Sequence, residues 1–169
     1  DQAPTDITLS NTSVFENAGV DAFVGTFSTE DQDLDETFVY SLVSGSGDAD
    51  NASFNIVDDQ LLTSEDFDYE TKNNYTIRVR STDSEDTDLW VEKSFTITVI
   101  EVNEAPIAYG QSVTTSENTP VAITLAGFDE DGDSLTFDFT SPANGTLSGT
   151  APDLTYTPDS DFAGADSFT

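Results

Sequence analysis

Tyr75-Thr76-Ile77-Arg78-Val79-Arg80 decides the fold. Side chains alternate strictly along this stretch. Tyr75, Ile77 and Val79 face one way, and Thr76, Arg78 and Arg80 face the other. A period of two is the signature of a strand with one buried face. The same reading of Val91 to Val99 puts Phe95, Ile97 and Val99 inward, with Thr96 and Thr98 outward. Working outward, Ala22 to Phe27, Thr37 to Val43 and Phe54 to Val57 repeat the pattern. Turn-rich stretches separate them: Ser44-Gly45-Ser46-Gly47-Asp48, Asp58-Asp59, and Asp83 to Asp88. No segment sustains a 3.6-residue period with caps. About seven short strands in some 100 residues is the pattern of an antiparallel β-sandwich.

A second domain is expected from residue 104 onward. Val121 to Leu125, Leu135 to Phe139, Thr146 to Leu147 and Leu154 to Thr157 read as strands. Pro142-Ala143-Asn144-Gly145 reads as a turn, with Asn-Gly a hairpin signal. The final alternating run, Asp166-Ser167-Phe168-Thr169, stops as it starts, so this domain is expected to be incomplete. The two halves repeat one another. Gln2-Ala3-Pro4 answers Glu104-Ala105-Pro106, Phe15-Glu16-Asn17 answers Ser116-Glu117-Asn118, and Asp31-Gln32-Asp33 answers Asp129-Glu130-Asp131. The offsets of 102, 101 and 98 residues describe two related units in tandem, expected over 1–103 and 104–169. Tandem modules on one axis make rods that serve as spacers, adhesins or stalks.

Charge narrows the function. The chain of 169 residues carries 34 acids against four bases, a formal charge of −30, with no His, Cys or Met. Nothing here neutralises phosphates, which argues against a nucleic-acid partner, and an anionic membrane would repel it. Without His or Cys there is no Ser-His-Asp triad, thiol nucleophile, disulfide or zinc site of the usual kind. No apolar run approaches the ~18 residues of a membrane span. An enzyme is not expected. The chain reads as a segment from the middle of a longer secreted polypeptide. Its aromatic content (12 Phe, five Tyr, one Trp) sets it apart from a disordered acidic tail.

The acids cluster at Glu30 to Glu36, Glu65 to Glu70, Asp83 to Asp88 and Asp129 to Asp133. Like charges this close oppose folding, and the bases are too few to cancel them. A hard cation taking six to eight oxygens would. Ca²⁺ suits such sites because its coordination is forgiving, whereas Mg²⁺ demands a tight octahedron and keeps its waters. A halophilic surface is the alternative.

At this point the residues resemble a known family. Positions 1–103 resemble a cadherin-type domain, through Phe15-Glu16-Asn17, Asp31-x-Asp33 and Phe67-Asp68-Tyr69-Glu70. That last stretch is similar to the cadherin Leu-Asp-Arg-Glu motif. Ser81-Thr82-Asp83 matches Ala-x-Asp, and Glu101-x-Asn103-Glu104-Ala105-Pro106 resembles the Asp-x-Asn-Asp linker, one residue shorter and with Glu for Asp. The second domain resembles the cadherin-like or Ig-like (VCBS-type) repeats of large bacterial surface proteins. Its cues are Asp129-x-Asp131-Gly132-Asp133, Asn144-Gly145-Thr146-Leu147, Tyr156-x-Pro158 and Phe162-x-Gly164. The resemblance implies tandem Greek-key sandwiches with Ca²⁺ bound at the joints. Carried over, the ligands are Glu16, Asp68 and Glu70 of the first domain, Glu101, Asn103, Glu104 and the Ala105 carbonyl of the linker, and Asp129, Asp131 and Asp133 of the second. Asp1, Asp31, Asp33, Asp35 and Asp83 would form half of a joint with a preceding domain, binding weakly.

Trp90 is expected to pack at the start of the last strand of the first domain, Tyr109 to pack near the linker, and Lys93 to be a surface lysine. The resulting expectation is an extracellular, Ca²⁺-stiffened adhesion or extender module whose partners are adjacent repeats, with homotypic association possible through an open strand edge. A carbohydrate-binding accessory module is the alternative.

Overall fold

The computed structural model describes residues 2–33 and 36–169; Asp1, Leu34 and Asp35 lie outside the described residues. The chain divides into two compact units, Asp1–Val102 and Asn103–Thr169.

Among the described residues, unit 1 has eight strands: β1 (Asp6–Leu9), β2 (Ser13–Phe15), β3 (Phe23–Glu30), β4 (Phe38–Leu42), β5 (Phe54–Val57), β6 (Gln60–Thr63), β7 (Asn74–Asp83) and β8 (Trp90–Ile100). They form two four-stranded sheets, ordered β1-β3-β6-β5 and β2-β8-β7-β4. Every ladder in this unit is antiparallel except β2 with β8, which run parallel. The chain therefore changes sheets between β1 and β2. Asn11 fixes that crossing, its Nδ2 donating to the carbonyls of Ser13 (2.6 Å) and Val24 (2.8 Å). β3 answers with Gly25, where a Cβ would lie 2.7 Å from the Asn11 carbonyl oxygen. Only glycine fits so close a backbone approach, and the β3–β6 register slips at this point.

The alternation expected from the sequence sets the core. Tyr75, Ile77 and Val79 of β7 and Ile97 and Val99 of β8 are buried, and they pack with Ile7, Val24, Phe27, Phe54 and Leu61 of the other sheet. Phe67, in the loop before β7, completes an aromatic cluster with ring centroids 4.3 Å from Tyr75 and 5.4 Å from Phe54. Trp90 opens β8, but its side chain is 45% exposed and lies over the Arg80 guanidinium at 4.4 Å rather than in the core. Lys93 pairs with both carboxylate oxygens of Asp6 at 2.8 Å.

Unit 2 contains β9 (Ile107–Ala108), β10 (Val121–Thr124), β11 (Gly127–Phe128), β12 (Gly145–Thr150) and β13 (Asp153–Pro158). Its sheets are β10-β13-β12 and β11-β9. Two expectations fail here. Leu135 to Phe139 forms no strand, because no hydrogen-bonded ladder runs beside it; only Thr140 next to it exchanges bonds with Thr169. Asn144-Gly145 is not the hairpin turn: β12 begins at Gly145, and Thr150 and Asp153 flank the turn to β13. Gly145 is instead required by close packing, since a Cβ would fall 2.4 Å from the Tyr156 ring. Asn144 is held from the other side, its N–H donating to Asp166 at 2.9 Å. Tyr109 is 54% exposed. Among the described residues no helix is long and apolar enough to cross a membrane.

Ile77→Ala leaves a cavity at a fully buried site and is expected to cost unit 1 about 2–5 kcal/mol. Val39→Ala on the exposed face of β4 should stay within about 0.5 kcal/mol. Urea unfolding followed by circular dichroism measures both.

Candidate metal centre

Glu16, Asp68 and Glu70 come together. Each offers a carboxylate oxygen, and the three oxygens lie within 4.8 Å of one another; Glu16 is buried, while Asp68 and Glu70 are not. The local folding is legible. Glu16 follows β2, and its N–H donates to the Ile100 carbonyl at 3.0 Å. Asn17 turns the chain with φ +56° and donates its N–H to the Phe67 carbonyl at 3.0 Å. Buried Phe67 thereby anchors the loop that carries Asp68 and Glu70.

Backbone donors orient these carboxylates. Glu16 accepts from the Tyr69 N–H (2.7 Å) on one oxygen and from the Val102 N–H (2.6 Å) on the other. Asp68 accepts from the Thr71 N–H (2.8 Å) and hydroxyl (2.7 Å), which hold its carboxyl below the usual carboxylate range. Each carboxylate oxygen keeps a second lone pair for a cation. Glu101 is exposed and stands outside the group of three.

Unit 2 gathers its own acids. Asp129, just after β11, is 8% exposed and accepts the Asp133 N–H at 3.0 Å. Asp131 accepts the Glu104 N–H at 2.8 Å, and its other oxygen is buried without a hydrogen-bond partner. Asn103 Nδ2 donates to the Glu104 carbonyl. Asp133 and Ala105 are exposed. Lys72 pairs with Asp50, Arg78 and Arg80 both clamp Glu92, and Lys93 pairs with Asp6.

The far end of β7 holds the remaining acids of the first unit. Asp83 is 1% exposed. One of its oxygens accepts from the N–H groups of Glu85 (2.6 Å) and Asp86 (3.0 Å), and the other is buried without a partner. Asp31 accepts the Asp33 N–H at 2.9 Å and also keeps one buried, unpartnered oxygen. Asp33 accepts the Gln2 N–H at 2.7 Å. Asp1 and Asp35, expected beside them, lie outside the described residues. The sequence motifs missed Glu36. It shares a hydrogen bond with Asp83, and this contact, with burial and the charges of Asp83, Asp31 and Asp33, pushes its carboxyl up to about 7. The same bond holds Asp83 below its ordinary value. The signal that finds Glu36 is strand register: Phe38 pairs with Asp83, so the residue two positions earlier on β4's approach points the same way.

Comparison with known proteins agrees with this architecture. Residues 103–169 match the family model described as a bacterial Ig domain. Protocadherin Fat 2 of Rattus norvegicus is 30% identical over 120 residues, which is 68% of this chain but 3% of that protein. The chain thus spans a small fraction of the curated relative it matches. The structure of human Protocadherin-24 EC1-2 superimposes with a TM-score of 0.58 at 17% identity, covering 95% of this chain and 81% of that one. Protocadherin Gamma B2 extracellular cadherin domains 3-6 gives 0.53 at 18% identity, covering 91% and 39%.

Two predictions follow from the carboxylate geometry. Glu16→Gln replaces one acceptor with an NH₂ facing a backbone N–H. In chelator it should lose about 1–3 kcal/mol of unfolding free energy, measured in urea. Glu36 behaves oppositely. Its folded value of about 7 exceeds its ordinary 4.5, so the folded state holds the proton more tightly. The stability this supplies is complete below about pH 4.5 and is lost as pH rises to about 7. Asp83 is shifted the other way and adds slope only in acid. In chelator, the melting temperature of Glu36→Gln minus that of the wild type should therefore be near zero at pH 4.5 and grow positive by pH 7. A flat difference across that window would refute the reading.

From its strands and these likenesses, the chain has an all-β fold similar to that of paired cadherin domains, and residues 103–169 match the bacterial Ig domain family model.

Proposed function

We propose that this chain is a Ca²⁺-stiffened adhesion or extender module of a secreted or surface protein of bacterial type. The observation that carries the reading is the meeting of Glu16, Asp68 and Glu70, whose carboxylate oxygens lie within 4.8 Å of one another. Three carboxylates in one place are costly unless a cation shares them. The oxygens are hard ligands, and their loop setting suits an ion with adaptable coordination. Glu16 also links the ion to the chain beyond β8, because its carboxylate already holds the Val102 N–H. A bound cation would fix the carboxylate, and with it the entry to the segment around Glu101, Asn103, Glu104 and Ala105. In unit 2, Asp129, Asp131 and Asp133 are the proposed ligands.

Binding only to the folded state stabilises it by RT ln(1 + [L]/Kd), about 2.7 kcal/mol at a hundredfold excess over Kd. Extracellular Ca²⁺ modules of this kind have Kd on the order of 10⁻⁴ to 10⁻³ M. The mechanical consequence is a chain that is ordered where Ca²⁺ is abundant. Adjacent repeats of the same polypeptide are its nearest partners.

Limited proteolysis of the chelator-stripped chain should cut around Val102 to Pro106, and millimolar Ca²⁺ should protect that segment where equal Mg²⁺ does not. Unit 1 should gain on the order of 10 °C in melting temperature under the same conditions. Glu70→Gln should raise the Kd at least about tenfold. Equal cleavage with and without Ca²⁺ would leave the acids as a solvated saline surface.

A further inference from the structure

Asn144-Gly145 is the only Asn-Gly pair in the chain, and unit 2 holds it by its backbone. Asp166 accepts four hydrogen bonds around it. One oxygen takes the Ala143 N–H at 3.1 Å and the Ser167 N–H at 3.0 Å, and the other takes the Asn144 N–H and the Tyr156 hydroxyl, both at 2.9 Å. The Asn144 carbonyl accepts the Asp159 N–H at 3.0 Å. Both backbone polar groups of Asn144 are thus engaged. Its half-buried side-chain amide makes no hydrogen bond among the described residues.

An asparagine followed by glycine can close on itself. The Gly145 nitrogen gives its proton to hydroxide and bonds to Cγ of Asn144. The Cγ–Nδ2 bond breaks, and Nδ2 takes a proton from water and leaves as ammonia. A five-membered imide remains. Water then adds across either of its carbonyl–nitrogen bonds, giving aspartate or its backbone isomer, isoaspartate. Glycine hinders this attack least, because it has no Cβ. Unit 2 is bound to that glycine, since a Cβ at 145 would lie 2.4 Å from the Tyr156 ring. The nitrogen is also not used in the ladder. Gly145 stands opposite Pro158, and Asp159 bonds to Asn144 in the next pair. Antiparallel alternation therefore leaves 145 and 158 without mutual ladder bonds, and β12 is the edge strand of its sheet.

We propose that Asn144-Gly145 is a self-modification site that the Asp166 carboxylate holds unreacted, so that conversion at 144 records the opening of this clamp. Ring closure needs the Gly145 nitrogen within about 3–3.5 Å of Cγ and aligned for attack. Reaching that geometry turns the chain about the Cα–C bond of Asn144. Asp166 fixes the chain before this bond, and Asp159 with the β12–β13 ladder fixes it after. Neither side turns while both hold. Conversion then keeps the clamp open. The new carboxylate belongs to the residue whose N–H Asp166 accepts, and like charges this close repel. Isoaspartate also adds a methylene to the main chain where β12 begins, which displaces its first pairs with β13. Either product loosens residues 159–169 from residues 140–144, where Thr140 and Thr169 also exchange hydrogen bonds.

The test incubates the full chain in chelator, so that the result does not depend on a bound cation, with the same chain in urea as the unguarded reference. Peptide mapping by mass spectrometry reads the conversion of amide to acid at 144, and enzymatic methylation reads isoaspartate. The folded wild type should convert at least about tenfold more slowly than the urea sample, the scale expected for hydrogen bonds to a charged acceptor. Asp166→Ala should recover most of that difference, and the rate should rise with pH because the attacking nitrogen must lose its proton. Asp166→Asn keeps the shape and one acceptor oxygen, and should fall between the two. Circular dichroism checks that both variants keep their strands. Asn144→Asp installs the product directly, and should speed hydrogen exchange at Ala143 and across residues 159–169 in an otherwise folded chain. Equal conversion in the folded wild type and in urea overturns the proposal. So does a folded Asp166 variant that converts no faster than the wild type, or unchanged exchange in Asn144→Asp.

Discussion

The β7–β8 ladder is the interaction on which unit 1 depends. Its register runs from Asn74 opposite Thr98 to Thr82 opposite Trp90. One face delivers Tyr75, Ile77, Val79 and Ile97 to the core. The other face carries Arg78, Arg80 and Glu92, while Lys93 stands on the core side opposite Val79, at its margin, and pairs with Asp6 of the other sheet. The ends of the same ladder set out the acids. Tyr75 packs on Phe67, which anchors Asp68, and the last residue of β7 is Asp83 itself. A one-residue slip would exchange the two faces. It would bury the arginines, expose the core and dissolve both carboxylate groups at once.

That geometry explains why the bases do not relieve the acids. Glu92 takes both arginines in a clamp, with contacts of 2.7 and 2.5 Å, and this holds its carboxyl below the ordinary range. The clamp also keeps Arg80 in place over Trp90. The two arginines are thus spent on the polar face of one sheet, where they offset a single glutamate, and the two lysines pair with Asp50 and Asp6. Glu16, Asp68 and Asp83 accept from backbone N–H groups and, at Asp68, from the Thr71 hydroxyl. These groups orient a carboxylate and lower its proton affinity, but they carry no full charge. Repulsion within each group persists, and a multivalent cation remains the economical way to remove it.

Much of this was legible in the sequence, for a simple reason. Alternation over five or more residues, as in β7, β8 and β3, is strong enough to read against chance. β1, β2 and β6 have four residues or fewer and do not stand out in the sequence as the equally short β5 does, and the crossing from β1 to β2 depends on Asn11 and Gly25 meeting across the sheet. Leu135 to Phe139 alternates but finds no ladder, which shows that pattern supplies a strand only when a neighbour supplies its hydrogen bonds. The Glu16, Asp68 and Glu70 group was readable from motifs. Glu36 was not, because it matters only through the β4–β7 register that brings it to Asp83. Sequence spacing reports which acids lie near each other along the chain, and register decides which ones meet.

The separation of the two acid groups has an electrostatic consequence. At physiological ionic strength the screening length is about 8 Å, roughly a third of the ~26 Å of strand between them. Charge removed at one end of unit 1 therefore does little to ease repulsion at the other. A single ion could not stabilise both ends, and raising the salt would relieve each only in part, since Glu16 and Asp83 are buried and screening is weakest for buried charge. Each end has to resolve its own excess of carboxylate, by protonation or by a cation. At that end the raised proton affinity of Glu36 is the first of these answers. A proton and a divalent ion then compete for the same oxygens, because a carboxylate must be deprotonated to ligate.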